Sequence, residues 1–185
     1  MKRVMIDMDD VICDGGFLYL VNQFLGTNYQ IEDIKNYYIQ DLIPKKQRQD
    51  FCKFFLSKNM YDYTQFVPDA YQTLRKLNKQ YDIYITTAYL IRDDKTLGGE
   101  HLKNKFNWLY QNLPFIEPEK YIFTSNKELI SCEVKIDDKP SNLIGDAEQK
   151  LLFTAYHNKD ITEQELEQEG LIRVNGWQDV EKILL

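Results

Sequence analysis

The 185-residue sequence predicts an α/β fold: a Rossmann-like, three-layer arrangement around a parallel sheet, with a small helical cap inserted after the first strand. Three observations carry this. Short apolar runs recur with helix-patterned segments between them, the alternation expected of a parallel sheet covered on both faces. Acidic pairs stand directly after two of those runs. A long stretch from Gly15 to Val67 shows helical spacing without a strand signal.

Val4-Met5-Ile6 opens the sheet, because an unbroken apolar run suits a strand buried on both faces. In the insertion, Phe17, Leu20, Val21 and Phe24 step at helical spacing, as do Phe51, Phe54 and Phe55 among lysines. Residues 16–66 are therefore expected to form the cap, and residues 1–15 and 67–185 the core. After Pro68 a helix is predicted from about Asp69 to Lys79, with Ala70, Leu74 and Leu77 on one face. Ile83-Tyr84-Ile85 is the next strand. A second helix covers about Glu100 to Asn112, where Leu102, Phe106, Leu109 and Leu113 stay in register ahead of Pro114. Tyr121-Ile122-Phe123, Val134-Lys135-Ile136 and Leu151-Leu152-Phe153 supply further strands. Gln164 to Glu169 has Leu166 as its one apolar residue and reads as a solvated surface turn.

Lysine and arginine number 23 against 29 aspartates and glutamates, a formal net charge of −6, with 43% hydrophobic and 28% charged residues. That is apolar enough for a packed core. Without a basic run, no surface is provided for a nucleic-acid polymer. No run approaches the ~18 apolar residues of a membrane span, and Asp7 interrupts the N-terminal run before a signal sequence could form, so a cytoplasmic protein with no membrane partner is expected. Cys13, Cys52 and Cys132 are odd in number and lack CxxC spacing, which suggests reduced thiols. The 13 tyrosines exceed the needs of such a core, and some are expected to line a pocket. Nothing in the sequence sets the oligomeric state.

Asp7, Asp9 and Asp10 follow the first strand, and Asp137 and Asp138 follow Val134-Lys135-Ile136. Acids at two strand ends would crowd negative charge into one crevice, an arrangement that calls for a cation, and oxygen ligands suit Mg²⁺. Thr87 and Lys127 also stand just beyond strands, as the hydroxyl and ammonium that a transferring phosphoryl group needs. A single acidic pair would be an ordinary loop start or helix cap. The order DxD, Thr, Lys, DD makes the set specific.

Asp7-Met8-Asp9-Asp10-Val11 resembles the DxDx[TV] signature of the haloacid dehalogenase-like (HAD) phosphohydrolases, and Thr87, Lys127 and Ile136-Asp137-Asp138 fall where that superfamily has its other motifs. The match is closer to one branch, the 5'(3')-deoxyribonucleotidases. Their pattern is resembled by Gly15-Gly16-Phe17, Ser57-Lys58-Asn59-Met60-Tyr61, Pro68-Asp69-Ala70, Thr87-Ala88-Tyr89 and Leu151-Leu152-Phe153-Thr154 with His157-Asn158. Asp10 stands where the branch has glycine and Ala88 where it has serine, and an aromatic ahead of Gly15 is missing.

The resemblance implies a HAD-like core and a Mg²⁺-dependent phosphomonoester hydrolase that dephosphorylates nucleoside monophosphates, with pyrimidine deoxynucleotides preferred. It makes Asp7 the nucleophile of an aspartyl-phosphate mechanism and Asp9 the general acid and base, its pKa raised by neighbouring carboxylates. Asp7, the Asp9 carbonyl and Asp138 would hold the metal, with Asp137 behind them. Lys127 would bridge Asp7 and phosphate, Thr87 would donate to phosphate, and Tyr37, Tyr38, Tyr61 and Lys139 would bind substrate. A phosphotransferase on the same core is one rival. A phospho-Asp receiver module is another, although a receiver has neither the second DxD acid nor room for the insertion.

Overall fold

The computed structural model describes residues 1–34, 38–90 and 98–185. In chain order the elements are β1 (Lys2–Ile6), β2 (Cys13–Asp14), α1 (Gly16–Leu25), α2 (Arg48–Leu56), β3 (Gln65–Phe66), α3 (Ala70–Leu77), β4 (Tyr81–Thr87), α4 (Gly98–Asn112), β5 (Tyr121–Phe123), β6 (Val134–Asp137), β7 (Gln149–Phe153), α5 (Glu163–Glu169), β8 (Ile172–Val174) and α6 (Trp177–Leu184). Short 3₁₀ turns link several of them. Six strands form one sheet in the order β5-β4-β1-β6-β7-β8, every pairing parallel.

Alternation of side chains along the strands builds two faces. Val4, Ile6, Ile83, Ile85, Ile136, Leu151 and Val174 share one buried cluster with Leu74 and Leu77 of α3, Leu109 of α4 and Val180 of α6. On the other face Leu152 packs with Leu143, Leu166 and Leu171. There Lys135 is fully buried and donates to the Ile144 carbonyl at 2.8 Å. Gln164 to Glu169 departs from the expected solvated turn. It lies in helix α5, whose start is fixed by Thr162 and Glu165 capping each other, and Leu166 is buried beneath the sheet's second face. The strand β8 and helix α6 were not foreseen, since Arg173 interrupts a three-residue strand.

The chain leaves β1 for β4 and β5 on one side and returns to β6, β7 and β8 on the other. The order thus reverses between β1 and β6, and ligands of open α/β sheets bind in the crevice at the carboxyl ends of such a pair. Between β2 and β3, Leu20, Val21, Ile39, Ile43, Phe51 and Phe55 bury a separate apolar cluster. β2 and β3 pair antiparallel where this insertion leaves and rejoins, with Cys13 opposite Phe66. Gly16 permits close packing there: a Cβ would lie 2.3 Å from the Met60 carbonyl oxygen. No helix among the described residues is long and apolar enough to cross a membrane.

Candidate active site

The register pairs Ile6 with Ile136, so the next residues, Asp7 and Asp137, leave their strands side by side on the same face. The Asp7 N–H extends the ladder by donating to the Ile136 carbonyl at 2.9 Å. Lys127, in the 3₁₀ turn after β5, lies between the two acids, its Nζ 2.7 Å from Asp7 Oδ1 and 2.7 Å from Asp137 Oδ2. Burial opposes the ammonium charge, but the two carboxylates outweigh it and the Lys127 pKa is raised. Burial pushes Asp7 up to about 6 against the pull of Lys127. Asp7 Oδ1 also accepts from the Met8 N–H at 2.7 Å. Asp137 accepts on Oδ1 from the Lys139 N–H and Asn142 Nδ2, each at 2.9 Å, and is raised by burial.

Asp138 lies beside them. His157 Nε2 is 2.6 Å from its Oδ2, and Asn158 Nδ2 donates to its backbone carbonyl at 2.7 Å. Asp7, Asp137 and Asp138 each present a carboxylate oxygen within 4.8 Å of the others, and Asp10, Asp138 and His157 form a second such group. The first set is all oxygen, which fits a hard cation such as Mg²⁺. Asp10 has φ 60°, the left-handed conformation that a glycine would take without strain.

Asp9 departs from expectation in its protonation. Its Oδ2 is ion-paired with Lys105 Nζ and its Oδ1 accepts from the Tyr61 hydroxyl at 2.9 Å. Burial raises its pKa, yet Lys105, joined by His101 and the Tyr61 hydroxyl, outweighs burial and holds the pKa below the ordinary value. Lys105 Nζ also donates to Thr87 Oγ1 at 2.5 Å, so one ammonium joins two of the expected site groups. Lys105 carried no functional reading in the sequence. Its signal was position: it falls between Leu102 and Leu109 on the inward face of α4 and is 1% exposed, where a lysine needs a partner. One turn earlier His101 lies across Tyr61, ring centroids 5.8 Å apart and planes inclined at 30°, and burial pushes its pKa down to about 4.

A cavity of about 560 Å³ opens from Asp9 and Asp10 toward the insertion, with Phe17, Tyr38, Phe51, Phe55 and His101 in its walls. Tyr38 is 38% exposed at its rim. Tyr61 differs from the expected base-stacking residue: it is absent from the cavity wall, is 4% exposed, and meets Asp9 instead, because the 3₁₀ turn Met60–Tyr63 packs against α1 and α4. Tyr37 lies outside the described residues. Lys139 joins the constellation through its backbone N–H to Asp137.

The family of 5' nucleotidase, deoxy (Pyrimidine), cytosolic type C proteins (NT5C) matches residues 1–185, the whole chain. The chain belongs to this family. As a deoxyribonucleotidase-family protein it is a phosphomonoester hydrolase built on the HAD-like fold. A Staphylococcus epidermidis relative bearing a provisional 5'(3')-deoxyribonucleotidase name is 31% identical over 97% of this chain and 93% of its own. The 5'(3')-deoxyribonucleotidase of Bacillus subtilis is 26% identical over the full length of both. Among solved structures, a haloacid dehalogenase-like family hydrolase of Xanthomonas campestris superposes with a TM-score of 0.56 at 12% identity, covering 99% of this chain and 94% of that one. The magnesium-bound form of Bacillus subtilis YfnB also has a TM-score of 0.56, at 14% identity and 99% and 98% coverage. At such identities these structures speak for the fold.

Proposed function

We propose that this deoxyribonucleotidase-family enzyme is a cytoplasmic, Mg²⁺-dependent 5'(3')-deoxyribonucleotidase that hydrolyses deoxynucleoside monophosphates through an aspartyl-phosphate on Asp7. The observation that carries this reading is that a mostly apolar cavity of about 560 Å³, large enough for a nucleoside, begins at Asp9 and Asp10, which stand just beyond the Asp7 of the Asp7–Lys127–Asp137 ion-paired group. The family names of the relatives and the magnesium in YfnB support it.

Asp7, Asp138 and the Asp9 backbone carbonyl would hold the metal, which when bound offsets the carboxylate charge and orients the phosphate. In the first half-reaction an Asp7 oxygen forms a bond to phosphorus as the ester P–O bond breaks, and Asp9 passes its proton to the leaving sugar oxygen. In the second, Asp9 takes a proton from water, the water oxygen bonds to phosphorus, and the Asp7–phosphorus bond breaks to release inorganic phosphate. Asp9 needs a proton for the first step, and its ion pair with Lys105 opposes one. An arriving phosphate draws Lys105 and Thr87 toward its oxygens, which loosens the pair and lets Asp9 become an acid. Lys127 holds Asp7 in place for attack and screens its charge. The insertion, as a cap, covers the nucleoside, with Tyr38 at the rim.

The test is a panel of deoxynucleoside and ribonucleoside 5'- and 3'-monophosphates, alongside p-nitrophenyl phosphate, with Mg²⁺ and free phosphate as the readout. Pyrimidine deoxynucleotides are expected to turn over fastest. Equal rates across the panel would remove the nucleotidase assignment, and phosphate release that stops at one equivalent would point to a receiver.

A further inference from the structure

Asp138 is the carboxylate whose surroundings are least explained by the phosphate chemistry. Its side chain is 7% exposed, and the His157 imidazole, 3% exposed, closes on one of its two oxygens, with Nε2 2.6 Å from Oδ2. Among the described residues no hydrogen bond reaches Oδ1. His157 is itself held: the Tyr156 ring meets it edge-on, centroids 4.9 Å apart at 89°. The next residue, Asn158, is 1% exposed and ties the Asp138 carbonyl to the Phe153 carbonyl through one amide, with both contacts at 2.7 Å. Arg173 of β8 reaches back to the Asn158 carbonyl at 3.3 Å and the Ile161 carbonyl at 2.8 Å, fastening the segment that carries both residues. Asp138 is thus gripped at its backbone by Asn158 and at one carboxylate oxygen by His157.

We propose that His157 is a positioning residue that restricts Asp138 to a single metal-facing oxygen and thereby makes this site select Mg²⁺ over Ca²⁺; this rests on the metal ligation proposed above. Ca²⁺ takes roughly 6–8 oxygens and readily accepts both oxygens of one carboxylate, whereas Mg²⁺ demands an octahedron of single oxygens at short range. The neighbouring acids are restrained in the same sense. Asp137 has both oxygens occupied, Oδ2 by Lys127 and Oδ1 by the Lys139 N–H and Asn142. Asp7 has Oδ1 held by Lys127 and the Met8 N–H. Of the three, Asp138 is the one whose second oxygen is withheld by a lone side chain, so removing that side chain converts a one-oxygen donor into a chelating one.

The experiment is calorimetric titration of the substrate-free protein with MgCl₂ and with CaCl₂, for wild type, His157→Ala and His157→Gln. Loss of a group that orients a metal ligand changes affinity by ~10–100-fold, so His157→Ala is expected to move the ratio of the two dissociation constants at least about tenfold toward Ca²⁺. His157→Gln, which keeps an N–H donor, is expected to stay near the wild-type ratio. A general loss of structure would weaken both ions and leave the ratio alone. An unchanged ratio in a His157→Ala variant whose circular dichroism matches wild type overturns the proposal, as does wild type binding Ca²⁺ at least as tightly as Mg²⁺. Should both variants fail to fold, crystals of the wild type soaked in CaCl₂ decide it: a two-oxygen grip by Asp138 on the ion overturns it, and a one-oxygen contact with His157 still on Oδ2 supports it. A protein that binds neither ion overturns the metal reading itself, a result separable from a normal metal site whose selectivity ignores His157.

Discussion

The Tyr61 hydroxyl donates to Asp9 Oδ1 at 2.9 Å, joining the insertion to the acid beyond the first strand. With Lys105 on the other oxygen, it holds the carboxylate ionised. A hydrogen bond to a charged group is worth ~1.5–3 kcal/mol, so Tyr61→Phe should raise the Asp9 pKa. The limb of the kcat/KM profile that reports Asp9 is expected to move to higher pH with p-nitrophenyl phosphate as substrate. A superimposable profile would show that the contact does not tune the acid.

Lys105→Met removes the ammonium that joins Asp9 to Thr87. Losing one donor that stabilises charge on the transferring group typically costs ~10²–10³-fold in rate, and without Lys105 to meet the arriving phosphate, turnover of a deoxynucleoside monophosphate should fall within that range while the fold persists by circular dichroism. Asp7→Asn should leave no turnover, because an amide is no nucleophile. Wild-type turnover in Asp7→Asn would sink the covalent mechanism.

Asp138 and Lys127 should separate by metal demand. Asp138→Ala is expected to raise the Mg²⁺ concentration needed for half-maximal activity. Lys127→Ala removes the cation between Asp7 and Asp137 and should lower turnover with far less change in metal demand. The same metal titration curve in both variants would reverse the assigned roles.

Tyr38 lines the cavity with 38% of its surface exposed, and under the proposed function it would stack on the nucleotide base. Stacking of a base on an aromatic ring contributes ~1–3 kcal/mol. Tyr38→Ala should therefore raise KM for a deoxynucleoside 5'-monophosphate by about tenfold, and p-nitrophenyl phosphate should be scarcely affected. Equal effects on both substrates would argue against a base-reading cap.

Half-buried His101 and buried Asp7 should give the metal-free protein opposed pH dependences. His101 titrates near 4 when folded, because burial disfavours its charge, against 6.5 unfolded. Between those values the unfolded chain binds the extra proton, so this stability is present above pH 6.5 and is lost as pH falls toward 4. Asp7 is raised by burial from 3.8 to about 6, so there the folded chain binds the extra proton and stability falls as pH rises through that window. In EDTA, His101→Phe should leave the Asp7 effect exposed: urea midpoints of the variant should drop from pH 4 to pH 6 more steeply than those of wild type. Parallel curves would refute the His101 contribution.

Much of this site is local in the chain. Asp7, Asp9 and Asp138 are legible because an acid after a buried apolar run sits at a strand's carboxyl end, whatever the rest of the molecule does. Strands β1, β4, β5, β6 and β7 are legible as short apolar runs, and helices α3 and α4 because their periodicity persists over enough residues to be seen. β2 and β3 have two residues each, and the run of β8 is broken by Arg173.

The sequence by itself determined the α/β alternation and the ordered set of acids, threonine and lysine, because each follows from neighbours within a turn or a strand, whereas the two-residue strand β3 at the end of the expected strand-free insertion exists only through its pairing with β2. Only the tertiary structure decided what those groups do to one another. Lys105 approaches Asp9 from 96 residues away and His157 approaches Asp138 from 19, and neither distance is encoded in any local pattern. Protonation and ligand geometry depend on the charges and donors within a few ångströms, and in this fold those arrive from α4 and from the segment after β7, brought together by the sheet's reversal between β1 and β6.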